Sequence, residues 1–153
     1  MFDSVTTSTQ AKLRASDDCR MKVLVLFGTR PEAIKLAPVI HELKRKNFET
    51  IVVSSSQHKQ LLQPFLETLA IETNYDLEVM RNNQSPTDVC SRVMAKLDKI
   101  LAKVKPDLIL VQGDTTTTLA GAMAGFYRRV PVGHVEAGLR SGNLMSPFPE
   151  EMN

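Results

Sequence analysis

Six consecutive residues, Lys22-Val-Leu-Val-Leu-Phe27, are almost wholly apolar and stop at Gly28. A short apolar run without polar alternation predicts a strand covered on both faces, as in a parallel sheet. Pro31 then suits the first turn of a helix, where its missing N–H removes no hydrogen bond. Ile34, Ala37, Ile40, Leu43 and Lys44 recur at helical spacing to bury one stripe, while Glu42 and Arg45 fall on the water side. Pro38 interrupts that helix and predicts a bend or an early end. Thr50 to Ser54 is β-branched and continuous and predicts a second strand. Gln57 to Thr68 reads as a second helix with Leu61, Leu62, Phe65 and Leu69 on its apolar side and Pro64 blurring its end.

The alternation then repeats. Tyr75 to Met80 predicts a short third strand, and Ser85-Pro86-Thr87-Asp88 supplies the starting residues of a long helix. Val89, Val93, Leu97, Ile100 and Val104 line one face of it, Pro106 ends it, and Asp107 to Val111 predicts a strand. Gly113-Asp114 and four threonines lead into a helix holding Leu119, Ala122, Met123 and Phe126. Its small residues Ala120, Gly121, Ala124 and Gly125 allow close approach to a sheet. Pro131 to Val135 predicts the last strand, and Arg140 to Asn153 lacks periodicity and reads as a loop. Strand and helix in regular succession imply an α/β fold, an open parallel sheet with helices on both faces. No repeat and no linker divides it. Residues 1–20, rich in Ser and Thr, read as a flexible tail, and 21–153 as one domain in which Met21 is an alternative start.

Composition narrows the function. A formal charge of +2 in 153 residues is too small to imply nucleic acid, and the compact basic run Lys44-Arg45-Lys46 suits a solvated helix end. No run approaches a membrane span and the N-terminus has no apolar leader, so neither membrane nor export is expected. Two cysteines, Cys19 and Cys90, favour a reducing, cytoplasmic setting, with Cys90 as a small core residue. The histidines at 41, 58 and 134 fall on unrelated elements, so no metal set is expected. There is also no glycine fingerprint for a dinucleotide and no phosphate loop.

In an open parallel sheet, ligands bind beyond the carboxyl ends of the strands. Three polar clusters fall there: Gly28-Thr29-Arg30, Gly113-Asp114-Thr115, and His134 to Arg140. Arg30, beside helix-start amides, suits a phosphate or a polar sugar group, or else a salt bridge to Glu32; Lys35 is a second candidate or a plain surface charge. Asp114 is read as a helix cap, a base or a hydroxyl ligand. His134 is expected to be buried and satisfied. Glu136 lies just past the last strand, and Glu150 and Glu151 follow Pro147 and Pro149. Carboxylates gathered at one pocket would supply proton donors and acceptors for an elimination or epimerisation.

These clusters, with Met21-Lys-Val-Leu-Val-Leu-Phe-Gly-Thr-Arg-Pro-Glu-Ala-Ile-Lys35-Leu-Ala-Pro38, Pro131-Val-Gly-His-Val-Glu-Ala-Gly-Leu-Arg140 and Ser146-Pro-Phe-Pro-Glu-Glu-Met-Asn153, resemble the non-hydrolysing UDP-N-acetylglucosamine 2-epimerases. The resemblance covers residues 21 to 153. It implies the N-terminal half of a two-domain, Rossmann-like architecture of the glycosyltransferase (GT-B) type, with the active site between the domains. It further implies interconversion of UDP-N-acetylglucosamine and UDP-N-acetylmannosamine by elimination and re-addition of UDP, with no cofactor, in a homodimer at full length. Carried over by position, Asp114, Glu136 and Glu150 match the functional carboxylates, and Arg30 and Lys35 the active-site basic residues. Glu151 stands between a structural and a functional role. The family is more than twice this length, so a C-terminal domain that completes the cleft is expected to be missing, and the isolated chain to be inactive. A hydrolysing epimerase, a glycosyltransferase and a non-catalytic UDP-sugar-binding product stay open as alternatives.

Overall fold

A computed structural model describes residues 20–56 and 59–153. The expected tail, with Cys19, therefore lies outside the described residues but for Arg20, as do Gln57, His58 and the side chain of Leu61. Five strands alternate with four helices: β1 Lys22–Phe27, α1 Arg30–Arg45, β2 Glu49–Ser54, α2 Lys59–Thr68, β3 Tyr75–Asp76, α3 Pro86–Val104, β4 Leu108–Gln112, α4 Thr116–Tyr127 and β5 Val132–Val135. The strands form one parallel sheet in the order β3-β2-β1-β4-β5.

The unbroken apolar runs have the expected cause, because both faces of the sheet are covered. Val23, Val25, Phe27 and Val52 pack under α1 and α2, and Leu24, Leu26, Val53, Ile109 and Val111 under α3 and α4. On α3 the buried row is Val89, Val93, Leu97 and Leu101, each stabilising by about 1.5–3 kcal/mol. Ile100 and Val104, expected on that face, are half-buried flanks. Ser85 and Asp88 cap the helix reciprocally, with Asp88 N donating to Ser85 Oγ at 3.1 Å and Ser85 N to Asp88 Oδ2 at 2.9 Å.

Several expectations shift. Neither Pro38 nor Pro64 ends its helix. Both sit on exposed faces, where water can satisfy the carbonyl each proline leaves without an N–H partner. The buried stripe of α1 is Ala33, Leu36, Ala37 and Ile40, whereas Ile34 is exposed. Alanines fill two of the four inward positions, and Ile34, one residue past Ala33, is turned to water despite its size. The third strand is shorter than predicted. After Asp76 the chain still follows β2, with Leu77 N donating to Ser54 O at 2.8 Å and Val79 N to Ser55 O at 3.1 Å. A left-handed Glu78 (φ 47°) breaks the ladder while Leu77 and Val79 drop into the α3 side of the core.

The small residues of α4 do set its distance. A Cβ at Gly121 would lie 2.5 Å from Leu26 Cδ2, and one at Gly125 2.6 Å from Val132 Cγ2 and 3.0 Å from Ile109 Cδ1. Close packing by α4 leaves its Phe126 and Tyr127 exposed beyond the last contact. Because Val132 is β-branched and fixed in a strand, Gly125→Val cannot be absorbed by rotation. It is expected to lower stability by about 2–3 kcal/mol, read as a lower urea midpoint at unchanged slope.

Candidate functional site

The chain leaves β1 for α1 on one face of the sheet and leaves β4 for α4 on the other. β1 and β4 are neighbours, so a crevice opens between their carboxyl ends. Gly28 begins the first loop without a Cβ, which would stand 2.3 Å from Ser55 Oγ and 2.5 Å from Thr117 Oγ1. Its absence lets those two hydroxyls meet at 3.0 Å and join the ends of β2 and α4.

Glu32, in the first turn of α1, is 2% exposed, so its carboxylate must find its partners inside. Oε2 accepts from Gly28 N at 2.9 Å, Thr29 N at 2.6 Å and Thr29 Oγ1 at 2.8 Å. Oε1 accepts from Thr115 Oγ1 at 2.6 Å and lies 3.2 Å from Thr118 Oγ1. One side chain thus caps its own helix and holds the start of α4. The alternative of an Arg30–Glu32 salt bridge is not what forms. Arg30 instead lays its guanidinium over the Phe65 ring, 4.5 Å from the centroid.

Glu136 follows β5 in a left-handed conformation, φ 55°, which is costly for a residue with a Cβ. Its Oε2 accepts from Lys35 Nζ of α1 and from Gln112 Nε2 at the end of β4. Both ends of the Lys35–Glu136 pair are nearly half exposed, so it adds little to stability. Asp114 is not the helix cap: Thr115 takes that position and accepts from Thr118 N at 3.2 Å. Asp114 is one residue too early and stands exposed, its side chain without a partner among the described residues. Its carbonyl accepts from Asn153 Nδ2 at 2.8 Å, which brings the C-terminal segment to the crevice. His134, expected to be buried, is exposed, because β5 is an edge strand; its Nε2 lies 2.5 Å from Gly113 O.

The segment after β5 is folded about Glu151, which is buried and structural. Its carboxylate accepts from Ser141 N at 2.8 Å and Gly142 N at 2.9 Å, and its carbonyl from Arg140 Nη1 at 3.1 Å. Those backbone donors, with Arg140 close by, hold the Glu151 carboxyl below the usual glutamate range. Glu150 beside it is half-buried and unpaired among the described residues.

Lys35, Gln112, Asp114, His134, Glu136 and Asn153 surround a cavity of about 280 Å³. Glu150 lines a neighbouring cavity of about 540 Å³, and Thr29, Thr115 and Asn153 belong to both. Of the residues proposed from sequence, three (Lys35, Asp114 and Glu136) meet in one cavity and Glu150 stands next door. Arg30 lines neither. Among the described residues no His, Cys, Asp or Glu cluster fits a metal ion, and no helix is long and apolar enough to cross a membrane.

A family model described as UDP-N-acetylglucosamine 2-epimerase matches residues 41–153. The chain belongs to the UDP-N-acetylglucosamine 2-epimerase family. It is 54% identical to the UDP-N-acetylglucosamine 2-epimerase of Escherichia coli K12 over 134 residues, 87% of this chain and 36% of that protein. The crystal structure of the Neisseria meningitidis enzyme bound to UDP-GlcNAc superposes with a TM-score of 0.82 at 50% identity, covering 87% of this chain and 37% of that one. The Methanocaldococcus jannaschii enzyme in complex with UDP-GlcNAc and UDP gives 0.81 at 37% identity, covering 87% and 36%. The chain thus spans about a third of the length of these relatives.

Within this epimerase-family domain, sequence reasoning missed Glu32, Gln112 and the exposure of His134. Two of the three carried a signal. Thr29-x-x-Glu32 ahead of an apolar stripe is a capping box, and Gln112 is a lone polar residue ending an apolar strand. Glu32→Ala would strand two backbone donors and two hydroxyls, and is expected to cost about 3 kcal/mol in urea unfolding. Glu151 has a depressed folded pKa, so its contribution is complete above the ordinary glutamate pKa and is lost as pH falls through the folded value. Amide exchange at Ser141 and Gly142 should therefore lose protection only in that acid range, and Glu151→Gln should remove the dependence.

Proposed function

We propose that this chain is the sugar-handling N-terminal domain, residues 21–153, of a non-hydrolysing UDP-N-acetylglucosamine 2-epimerase. The observation that carries the reading is the convergence of Asp114, Glu136 and Lys35 on one cavity at the β1–β4 crevice, in a chain of this family. The relatives from Neisseria and Methanocaldococcus are named as bound to UDP-GlcNAc, which supports the substrate class. In the proposed reaction a carboxylate takes the C2 proton, the C–H pair forms a C1–C2 double bond, and the C1–O pair leaves with UDP. UDP then re-adds at C1 while a proton is returned to the other face of C2. Asp114, Glu136 and Glu150 are the candidates for proton transfer, Lys35 for charge support, and Arg30 for a more distant substrate contact from its place beside Phe65.

A departing UDP needs donors aimed at its phosphates, and the cavity sets Lys35 and Arg140 among the carboxylates of Glu32, Asp114 and Glu136 and has no phosphate loop. The proposal therefore assigns the UDP-binding wall to the two-thirds of the relatives that this chain does not span, and no turnover to the chain alone. Cytoplasmic location, supported by sparse cysteines, and a homodimer at full length belong to the same proposal.

The test joins this chain in frame to the remaining length of the Escherichia coli relative and follows UDP-N-acetylglucosamine in D₂O by NMR. UDP-N-acetylmannosamine with deuterium at C2 is expected from the chimera and none from the 153-residue chain. Asp114→Asn and Glu136→Gln should each lower kcat/KM at least about 100-fold. Free N-acetylmannosamine would instead indicate a hydrolysing enzyme, and binding without exchange a non-catalytic product.

A further inference from the structure

Both polar contacts of the Glu136 side chain fall on a single atom. Lys35 Nζ and Gln112 Nε2 donate to Oε2, and Oε1 has no partner among the described residues. The two donors differ in kind. Lys35 is nearly half exposed at the end of a flexible stem, and that cannot define a carboxylate's orientation. Gln112 is 3% exposed, and its backbone is fixed from two directions. It pairs with Val135 across β4 and β5, and its carbonyl accepts from Thr118 Oγ1 at 2.6 Å. That hydroxyl also touches Glu32, so the amide is anchored to the same network that joins the two loops. Glu136 meanwhile holds a left-handed φ of 55°, a conformation that surroundings must impose and that recurs at functional sites.

We infer that Gln112 is a positioning residue that fixes which oxygen of Glu136 exchanges protons with substrate. Resting on the epimerase reading, Oε2 is the anchored oxygen, its lone pairs committed to Gln112 and Lys35. Oε1 is the working oxygen, free to take the C2 proton from one face, as the C–H pair forms the C1–C2 double bond and the C1–O pair leaves with UDP, or to return a proton as UDP re-adds. A buried amide beside a half-exposed lysine keeps this assignment even if Lys35 turns to a ligand.

Two measurements test it. In the ¹⁵N spectrum of the chain itself, one Gln112 Nε2 proton should be shifted downfield and slow to exchange. Glu136→Gln should abolish that shift, and Glu150→Gln should leave it in place. In the chimera described above, Gln112→Leu should lower kcat about 10- to 100-fold, with KM for UDP-N-acetylglucosamine within about 3-fold and an unchanged urea midpoint. A Gln112 amide that does not respond to Glu136→Gln overturns the inference whatever the chimera does. So does a Gln112→Leu chimera with full kcat. A responding amide in a wild-type chimera that does not epimerise supports the anchoring and overturns the functional reading alone.

Discussion

A carboxylate almost wholly withdrawn from water organises the crevice. Glu32 is buried at the point where the chain departs β1, and desolvating its charge would be prohibitive without donors on both oxygens. The donors come from two places: the backbone and hydroxyl at the start of α1, and the threonines at the start of α4. Those helices lie on opposite faces of the sheet, so no apolar contact would hold their first turns in register. The shared carboxylate does so. Two of the groups proposed for the cavity hang from these loops, Lys35 one turn along α1 and Asp114 one residue ahead of α4's cap.

The polar groups around the crevice fall into two mechanical classes. Glu32, Gln112, Thr117 and Thr118 are buried, are carried by strands or helix starts, and bond mainly to one another or to backbone. Lys35, Asp114, His134 and Glu136 are exposed and reach into the cavity. The first class spends its bonding capacity on geometry and the second keeps some in reserve. Such a division is what proton transfer requires, since a group saturated by the scaffold cannot exchange a proton with a ligand. Glu136 spans both classes, with one oxygen held and one unpaired among the described residues.

The succession of elements was legible in sequence because parallel strands buried on both faces leave unbroken apolar runs, as at Lys22–Phe27 and Leu108–Gln112. What misread was what sequence spacing does not encode. Pro38 and Pro64 look like breaks until their exposed faces are known. Ile34 outranks Ala33 by size, yet it is Ala33 that faces the core and Ile34 that is exposed. For the site, rim position was enough to bring Asp114 and Glu136 to one cavity, because loops on one edge of a sheet converge, whereas the choice of Lys35 over a plain surface charge came from the family resemblance. It was insufficient for Arg30, whose direction depends on Phe65 from another element. Nor did it find Glu32 and Gln112, whose importance lies in partners more than twenty residues away.

The C-terminal segment joins the crevice by different means. Arg140 to Asn153 has no regular element, and its apolar side chains Leu144, Met145, Phe148 and Met152 are exposed, so little hydrophobic burial holds it. Polar contacts take that place: the Glu151 carboxylate on the Ser141 and Gly142 amides, Arg140 on the Glu151 carbonyl, and Asn153 on the Asp114 carbonyl. Local stability scales with buried apolar contact, so this segment should open at lower cost than the sheet behind it. Glu150 therefore approaches the crevice on a clasp, whereas Glu136 and Gln112 are set by the β4–β5 ladder. On the proposed function, acids held with different stiffness suit a reaction that removes a proton from one face of a carbon and returns it to the other. The rigid pair can keep its register while the clasped acid accommodates the intermediate.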